Sequence, residues 1–291
     1  MKDLRSDIRL FNADCLDVMR ELVGSGVKVD AVIADPPYNM HKTHWDCQIP
    51  LDGMWECING ILKPKGNVIL FASGLFTYHL ALSNEKKFRY EMVWKKSKCG
   101  SPLTAKYMPM KKHENILVFG KSAAYYEPQM YEGKPYKRRY TPNKKNNLGY
   151  GIAGVQTDNK GTRHPTTVLD FPQKWRRQDQ LHPAQKPVEL MEFLVKSYCP
   201  KGGIVLDFCA GSGSTGIACL NTGRQFIGIE KDNEYFKVMQ VRLENRLMEI
   251  EHEQEPRLVC PLCGSENVGV QAGMTVDRYA CGDCGYEWYL S

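Results

Sequence analysis

The stretch VLDFCAGSGSTG, Val205 to Gly216, passes from an apolar strand through a glycine-rich turn into a helix. Gly211 and Gly213 allow backbone angles and a close ligand approach that a Cβ would deny, and the helix after them presents free N–H groups. A lone GxG is weak evidence. Here a second strand, QFIGIE, follows and ends on Glu230, twenty-three residues after Asp207. That is near the spacing at which a carboxylate takes the hydroxyl pair of a ribose. The combination points to a nucleoside cofactor; the bland alternative is a tight βα turn with Glu230 as a solvated strand end. No second phosphate grip is evident. S-adenosylmethionine, with a ribose but no phosphate, fits best.

Upstream, the chain alternates in βα fashion. DIRLFNAD and VDAVIAD read as strands, and CLDVMRELVGS as a helix with Leu16, Met19 and Val23 on one face. MWECINGILKPKG reads as a helix ended by Pro64 and Gly66, NVILFAS as the next buried strand, and FRYEMVWKK and HENILVFGK as strands near one sheet edge. From about Ser122 to Gln180 the periodicity fails, and long unpatterned insertions in compact domains usually carry function. Order returns with KPVELMEFLVKSY, a helix starting near Pro187 with Leu190, Phe193 and Leu194 on one side. STGIACLNTG is a helix stopped by Gly223, and Asp232 is placed to cap NEYFKVMQVRLENRLMEIE.

The chain has 291 residues, 42% hydrophobic and 25% charged, as expected of a soluble α/β protein. The N-terminal MKDLRSDIRLFNAD has no apolar export core, and no stretch approaches eighteen uncharged apolar residues. A cytoplasmic protein that makes no use of a membrane is expected. Net charge is +6, but Lys95 to Lys186 holds nineteen Lys or Arg against six Asp or Glu. That block carries +13 and leaves −7 for the rest, which suggests a polyanion partner. Seven of the eleven cysteines are scattered singly, most of them reading as core thiols, and together the cysteines indicate a reducing compartment.

The stretch AVIADPPYNM, Ala31 to Met40, sets a carboxylate and an aromatic ring on either side of two prolines. Alone it could be a proline turn. Beside a methyl donor it makes chemical sense. An exocyclic amine on a nucleobase is a poor nucleophile because its lone pair is delocalised into the ring. A carboxylate and a backbone carbonyl accepting its two hydrogens favour a more tetrahedral nitrogen and offset the positive charge that develops. Stiff prolines hold the acceptors, and a tyrosine stacks on the base.

With ADPPYN and then Trp45–Asp46, HENILVF, HPAQKP at His182–Pro187, DFCAGSGSTG and IGIE in that order, the chain resembles the β-class amino DNA methyltransferases, adenine-N6 type, from about Ile8 to Arg246. The resemblance implies a circularly permuted Rossmann-like S-adenosylmethionine-dependent methyltransferase fold with a basic target-recognition insert. With the unpatterned segment and the cysteine-bearing tail, the chain divides into a catalytic half (1–121), the insert (122–180), a cofactor-binding half (181–252) and a tail (257–291). The resemblance implies Asp35, Pro36, Pro37 and Tyr38 as catalytic residues, with Asp35 and the Pro36 carbonyl on the amine and Tyr38 on the base. It implies Asp14, Asp35, Lys186, Phe208, Ala210, Gly211, Gly213 and Glu230 at the cofactor. Asn39 and Asp46 fall in a loop closing over the site. Asp14 has a rival reading as a helix cap, and Lys186 as a solvated charge. Double-stranded DNA is the expected partner, with a homodimer as a second. Arg138 and Arg139 are candidate phosphate contacts. Cytosine-N4 transfer is the runner-up, and a DNA-binding protein without catalysis the rival from another class.

The tail carries CPLCG and CGDCG, two CxxC pairs separated by seventeen residues. Cys260, Cys263, Cys281 and Cys284 read as four thiolate ligands of a zinc ribbon, because so few apolar residues would not fold without metal. The module's charge of −3 (Arg278 against Glu266, Asp277, Asp283 and Glu287) does not suit it to grip phosphate.

Overall fold

The computed structural model describes residues 2–38, 49–100, 102–139, 156–173, 181, 184–254, 260–271 and 277–290. Asn39, Trp45, Asp46, His182 and Pro183 lie outside the described residues, as do the side chains of Arg138 and Arg139. The chain forms two compact units, Met1–Arg246 and Leu247–Ser291.

The first unit runs β1 (Lys2–Arg5), β2 (Ile8–Phe11), α1 (Cys15–Gly24), β3 (Val29–Ala34), α2 (Leu51–Ile61), β4 (Leu62–Ala72), α3 (Leu75–Ser83), β5 (Phe88–Lys95) and β6 (His113–Gly120). The short strands β7 (Tyr131–Glu132), β8 (Tyr136–Arg139), β9 (Gln156–Asn159) and β10 (Thr162–Arg163) follow. Then come β11 (Val168–Asp170), α4 (Val188–Tyr198), β12 (Ile204–Asp207), α5 (Ser214–Thr222), β13 (Gln225–Ile229) and α6 (Asn233–Gln254). Among the described residues, nine strands make one sheet in the order β1-β2-β13-β12-β3-β4-β6-β5-β11. β2, β13, β12, β3 and β4 are parallel, and β6 is antiparallel to both of its neighbours. The adjacent strands β12 and β3 send the chain to opposite sides of the sheet. Crevices at such switch points, at the carboxyl ends of the strands, are where open α/β sheets bind ligands. The loops after β3 and β12 therefore lie side by side although their sequences are far apart.

Three expectations are corrected by packing. On α1 the buried residues are Val18, Met19 and Leu22, while Leu16 and Val23 are only partly buried. Leu16 and Val23 instead reach α2 at its glycines: a Cβ on Gly60 would lie 2.9 Å from a Val23 methyl, and one on Gly53 would lie 3.7 Å from Leu16. α2 stops at Ile61, and Leu62 already pairs with Val29 in the sheet. Pro64 forces Lys63 into extended backbone, so the helix ends before the proline rather than at it. Finally, Val168–Asp170, inside the segment read as an insert, pairs in parallel with β5 as the sheet's last strand, with Leu169 buried.

Candidate active site

A cavity of about 910 Å³ runs from the glycine loop to the loop after β3, and Asp14, Asp35, Pro36, Pro37, Tyr38, Lys186, Phe208, Ala210, Gly211 and Glu230 all line it. The sequence-predicted residues of both halves thus meet in one space. Gly213 differs. It caps α5 in a left-handed conformation (φ 79°), and its added Cβ would lie 2.7 Å from Met239 on α6. Its absence of a side chain serves close packing behind the loop. Gly213→Ala combines that clash with backbone strain and is expected to destabilise by about 1–3 kcal/mol in denaturant titration. An unchanged midpoint would contradict the contact.

Glu230, at the end of β13, accepts hydrogen bonds from the Gly211 N–H (2.8 Å, Oε2) and the Asp232 N–H (2.8 Å, Oε1). Burial pushes its carboxyl upward against these two amides. Each oxygen keeps a second lone pair for a diol. Asp14 caps α1 through the Leu16 N–H at 3.0 Å and pairs with Lys231 at 3.1 Å, so its capping reading and its place in the cavity hold together. Arg242 donates to the Ser212 carbonyl and fixes the loop from behind. Ser214 Oγ is buried without a hydrogen-bond partner, on a residue lining the cavity at the start of α5.

Asp207, 4% exposed, accepts from the Cys209 N–H (3.0 Å) and the Thr215 hydroxyl (2.5 Å). Burial raises its pKa from 3.8 to about 7, with those two hydrogen bonds working against the rise. The native state therefore holds the proton more tightly than the unfolded chain. The contribution is most favourable below about pH 4 and is lost as pH rises through about 7, by at most about 4 kcal/mol. Asp207→Asn is expected to gain stability relative to wild type between pH 5 and pH 8 in thermal melts. A stability difference that is flat in pH would contradict the assignment.

At the other end of the cavity, Asp35 Oδ1 accepts the Tyr38 hydroxyl and Oδ2 accepts Lys186 Nζ. The Tyr38 ring stacks on Phe76 of α3, centroids 5.3 Å apart. Lys186 is 7% exposed, so it is no solvated helix-start charge. Its Nζ also lies 3.4 Å from Glu114 Oε2, 3.3 Å from the Ala184 carbonyl and 4.8 Å from the centre of the Phe71 ring. Glu114 Oε1 accepts from Lys96 at 2.6 Å. Burial drives Asp35 upward, with Lys186 pulling the other way. Burial also opposes the Lys186 charge, but the Asp35 and Glu114 carboxylates outweigh it and raise this lysine. Burial pushes the Glu114 carboxyl up, but the Lys186 and Lys96 charges outweigh it and hold it below its usual range.

Sequence reasoning passed over Glu114, Asp207, Ser214 and Arg242. One signal was readable: in HENILVF, Glu114 shares a strand face with Ile116 and Val118, an acid on an otherwise buried face.

The second unit carries β14 (Val268–Gln271), β15 (Asp277–Cys281) and β16 (Glu287–Leu290) as an antiparallel sheet. Two knuckles, each closed by a left-handed glycine (Gly264, φ 74°; Gly285, φ 71°), bring Cys260, Cys263, Cys281 and Cys284 together. Their sulfurs lie within 4.8 Å of one another, with Cys260–Cys284 and Cys263–Cys281 at 3.6 Å. Tetrahedral thiolate around a metal at ~2.3 Å needs sulfurs about 3.8 Å apart. The four sulfurs can hold such an ion. The backbone N–H of Cys284, opposed by burial and helped by the Asp283 N–H, pulls the Cys281 thiol down to about 6.

Residues 29–241 match the family model described as DNA methylase. The chain is 29% identical over 252 residues to the DNA adenine methyltransferase YhdJ of Escherichia coli strain K12, covering 81% of this chain and 82% of that protein. It is 24% identical over 271 residues to the type II methyltransferase M.HpaI of Haemophilus parainfluenzae, covering 88% and 80%. The M1.HpyAVI–SAM complex shares the fold at TM-score 0.57 and 24% identity, covering 81% of this chain and 98% of that one. So does the cytosine-N4-specific PvuII DNA methyltransferase, at TM-score 0.58 and 16% identity, covering 85% and 92%. The family match spans the loop after β3, the glycine loop and Glu230, and on that ground the chain belongs to the DNA methylase family.

Proposed function

We propose that this DNA methyltransferase moves a methyl group from S-adenosylmethionine to N6 of an adenine flipped out of a specific site in duplex DNA. The observation that carries the reading is the single cavity joining the Glu230 end to Asp35 and Tyr38. The likeness to an enzyme named for adenine supports the choice of base. The architecture suits a circularly permuted Rossmann-like methyltransferase, since the catalytic strand β3 precedes its sheet neighbour β12 in the chain.

The residues present fit the cofactor. Glu230 would take the ribose hydroxyls, and the unpartnered Ser214 hydroxyl at the positive end of α5 suits a carboxylate. When bound, the cofactor supplies an electrophilic methyl group on a sulfonium. The chain does the rest. Asp35 Oδ1 and the Pro36 carbonyl accept the two amine hydrogens, Pro37 sets their spacing, and the Tyr38 ring holds the base. The Tyr38 hydroxyl leaves Oδ1 as the amine arrives.

The basic 95–186 block supports duplex DNA as partner. The exposed Leu75, Tyr78 and Leu82 on α3 are consistent with a homodimer, which sedimentation velocity would read out. The four-cysteine cluster supports Zn²⁺ as a structural ion of the second unit. Among the described residues no helix is long and apolar enough to cross a membrane, which fits work on cytoplasmic DNA. The test is incubation with labelled S-adenosylmethionine and mixed-sequence duplex DNA. Label entering the DNA supports the reading, and its failure to enter any duplex despite cofactor binding overturns it.

A further inference from the structure

We propose that Glu114 is a positioning residue for methyl transfer: acting through Lys186, it shares that ammonium with Oδ2 of Asp35 and so limits the cation's hold on the carboxylate whose Oδ1 accepts from the target amine. The inference rests on the amine-clamp reading of Asp35. The Lys186 ammonium has three N–H donors, and the structure gives it three oxygens: Asp35 Oδ2, the Ala184 carbonyl at 3.3 Å and Glu114 Oε2 at 3.4 Å. The last of these is an ion pair too long and too poorly aligned for a good hydrogen bond, and Glu114 Oε2 has no other partner. Glu114 therefore tethers the ammonium electrostatically without taking it from Asp35. Lys96, at 2.6 Å from the other oxygen of Glu114, limits how strongly Glu114 can pull.

The charged groups around Asp35 come from five segments: Lys96 after β5, Lys111 before β6, Glu114 on β6, Lys186 before α4 and Asp207 at the end of β12. Asp35 and Glu114 share one cation, so changing either side of the shared charge changes the basicity of Oδ1 in a defined direction. Without the Glu114 charge, Lys186 acts on Asp35 alone and a repelling carboxylate is gone. Asp35 then becomes a weaker acceptor that protonates at lower pH. Without the Lys96 charge, Glu114 pulls harder on Lys186 and Asp35 protonates at higher pH.

The experiment uses the full chain and two variants, Glu114→Gln and Lys96→Met. In each, the Asp35 titration is followed by carboxyl NMR, assigned through Asp35→Asn, alongside the acidic limb of the kcat–pH profile. Glu114→Gln is expected to lower both midpoints by about one pH unit and kcat by about tenfold, with KM for DNA within about twofold. Lys96→Met is expected to raise both midpoints. Either folded variant decides the matter: an Asp35 midpoint that is unmoved, or that moves the other way, overturns the proposal. The NMR midpoint needs no turnover, so wild-type protein that fails to methylate DNA sinks the functional reading and leaves this measurement standing.

Discussion

Asp35→Ala is expected to lower methyl transfer by at least about a thousandfold while cofactor affinity stays within a few-fold of wild type. The acceptor lost is the one that would engage the amine as positive charge develops, so the effect falls on kcat more than on binding. The fold should tolerate the change. Removing one carboxylate beside a buried ammonium is usually severe because the cation is left alone. Here Lys186 keeps Glu114 at 3.4 Å as a counter-charge. Far-UV spectra and an unchanged melting transition should accompany the loss. Near-normal turnover would defeat the amine clamp. A tenfold or larger loss of cofactor affinity would instead move Asp35 to the cofactor side.

The second large effect is expected in the Leu247–Ser291 unit when metal is stripped. Among its described residues the buried ones are Leu247, Cys260, Tyr279 and Cys281, too little to hold three short strands without an ion. One zinc per chain is expected by elemental analysis. Chelation of the full-length protein should raise amide exchange in β15 by at least about a thousandfold while β3 and β12 keep their protection. Two outcomes would contradict the zinc ribbon: no bound metal in protein purified without chelator, or β15 exchange that is the same with and without metal.

Much of the site was legible because its chemistry lies in short contiguous motifs. DPPY and the glycine loop each carry their own geometry, and the topology needed only to bring β3 and β12 together. What sequence could not give was the pairing of charges from distant segments. Lys186 and Asp35 are 151 positions apart, and their contact depends on the whole sheet closing. The packing role of Gly213 was likewise out of reach, since Met239 approaches it from α6. Periodicity located α1, α2, α4, α5 and α6 but passed over α3, and it misjudged which face of α1 is deepest, because glycines on α2 let Leu16 and Val23 pack sideways. Val168–Asp170 gave too short an apolar run to announce a sheet strand.

The most direct test of the central claim is nucleoside analysis of duplex DNA methylated by the purified protein. N6-methyladenine is the expected product, absent when Asp35→Ala replaces the wild type. N4-methylcytosine in its place, or unmodified DNA with bound cofactor, would contradict the claim.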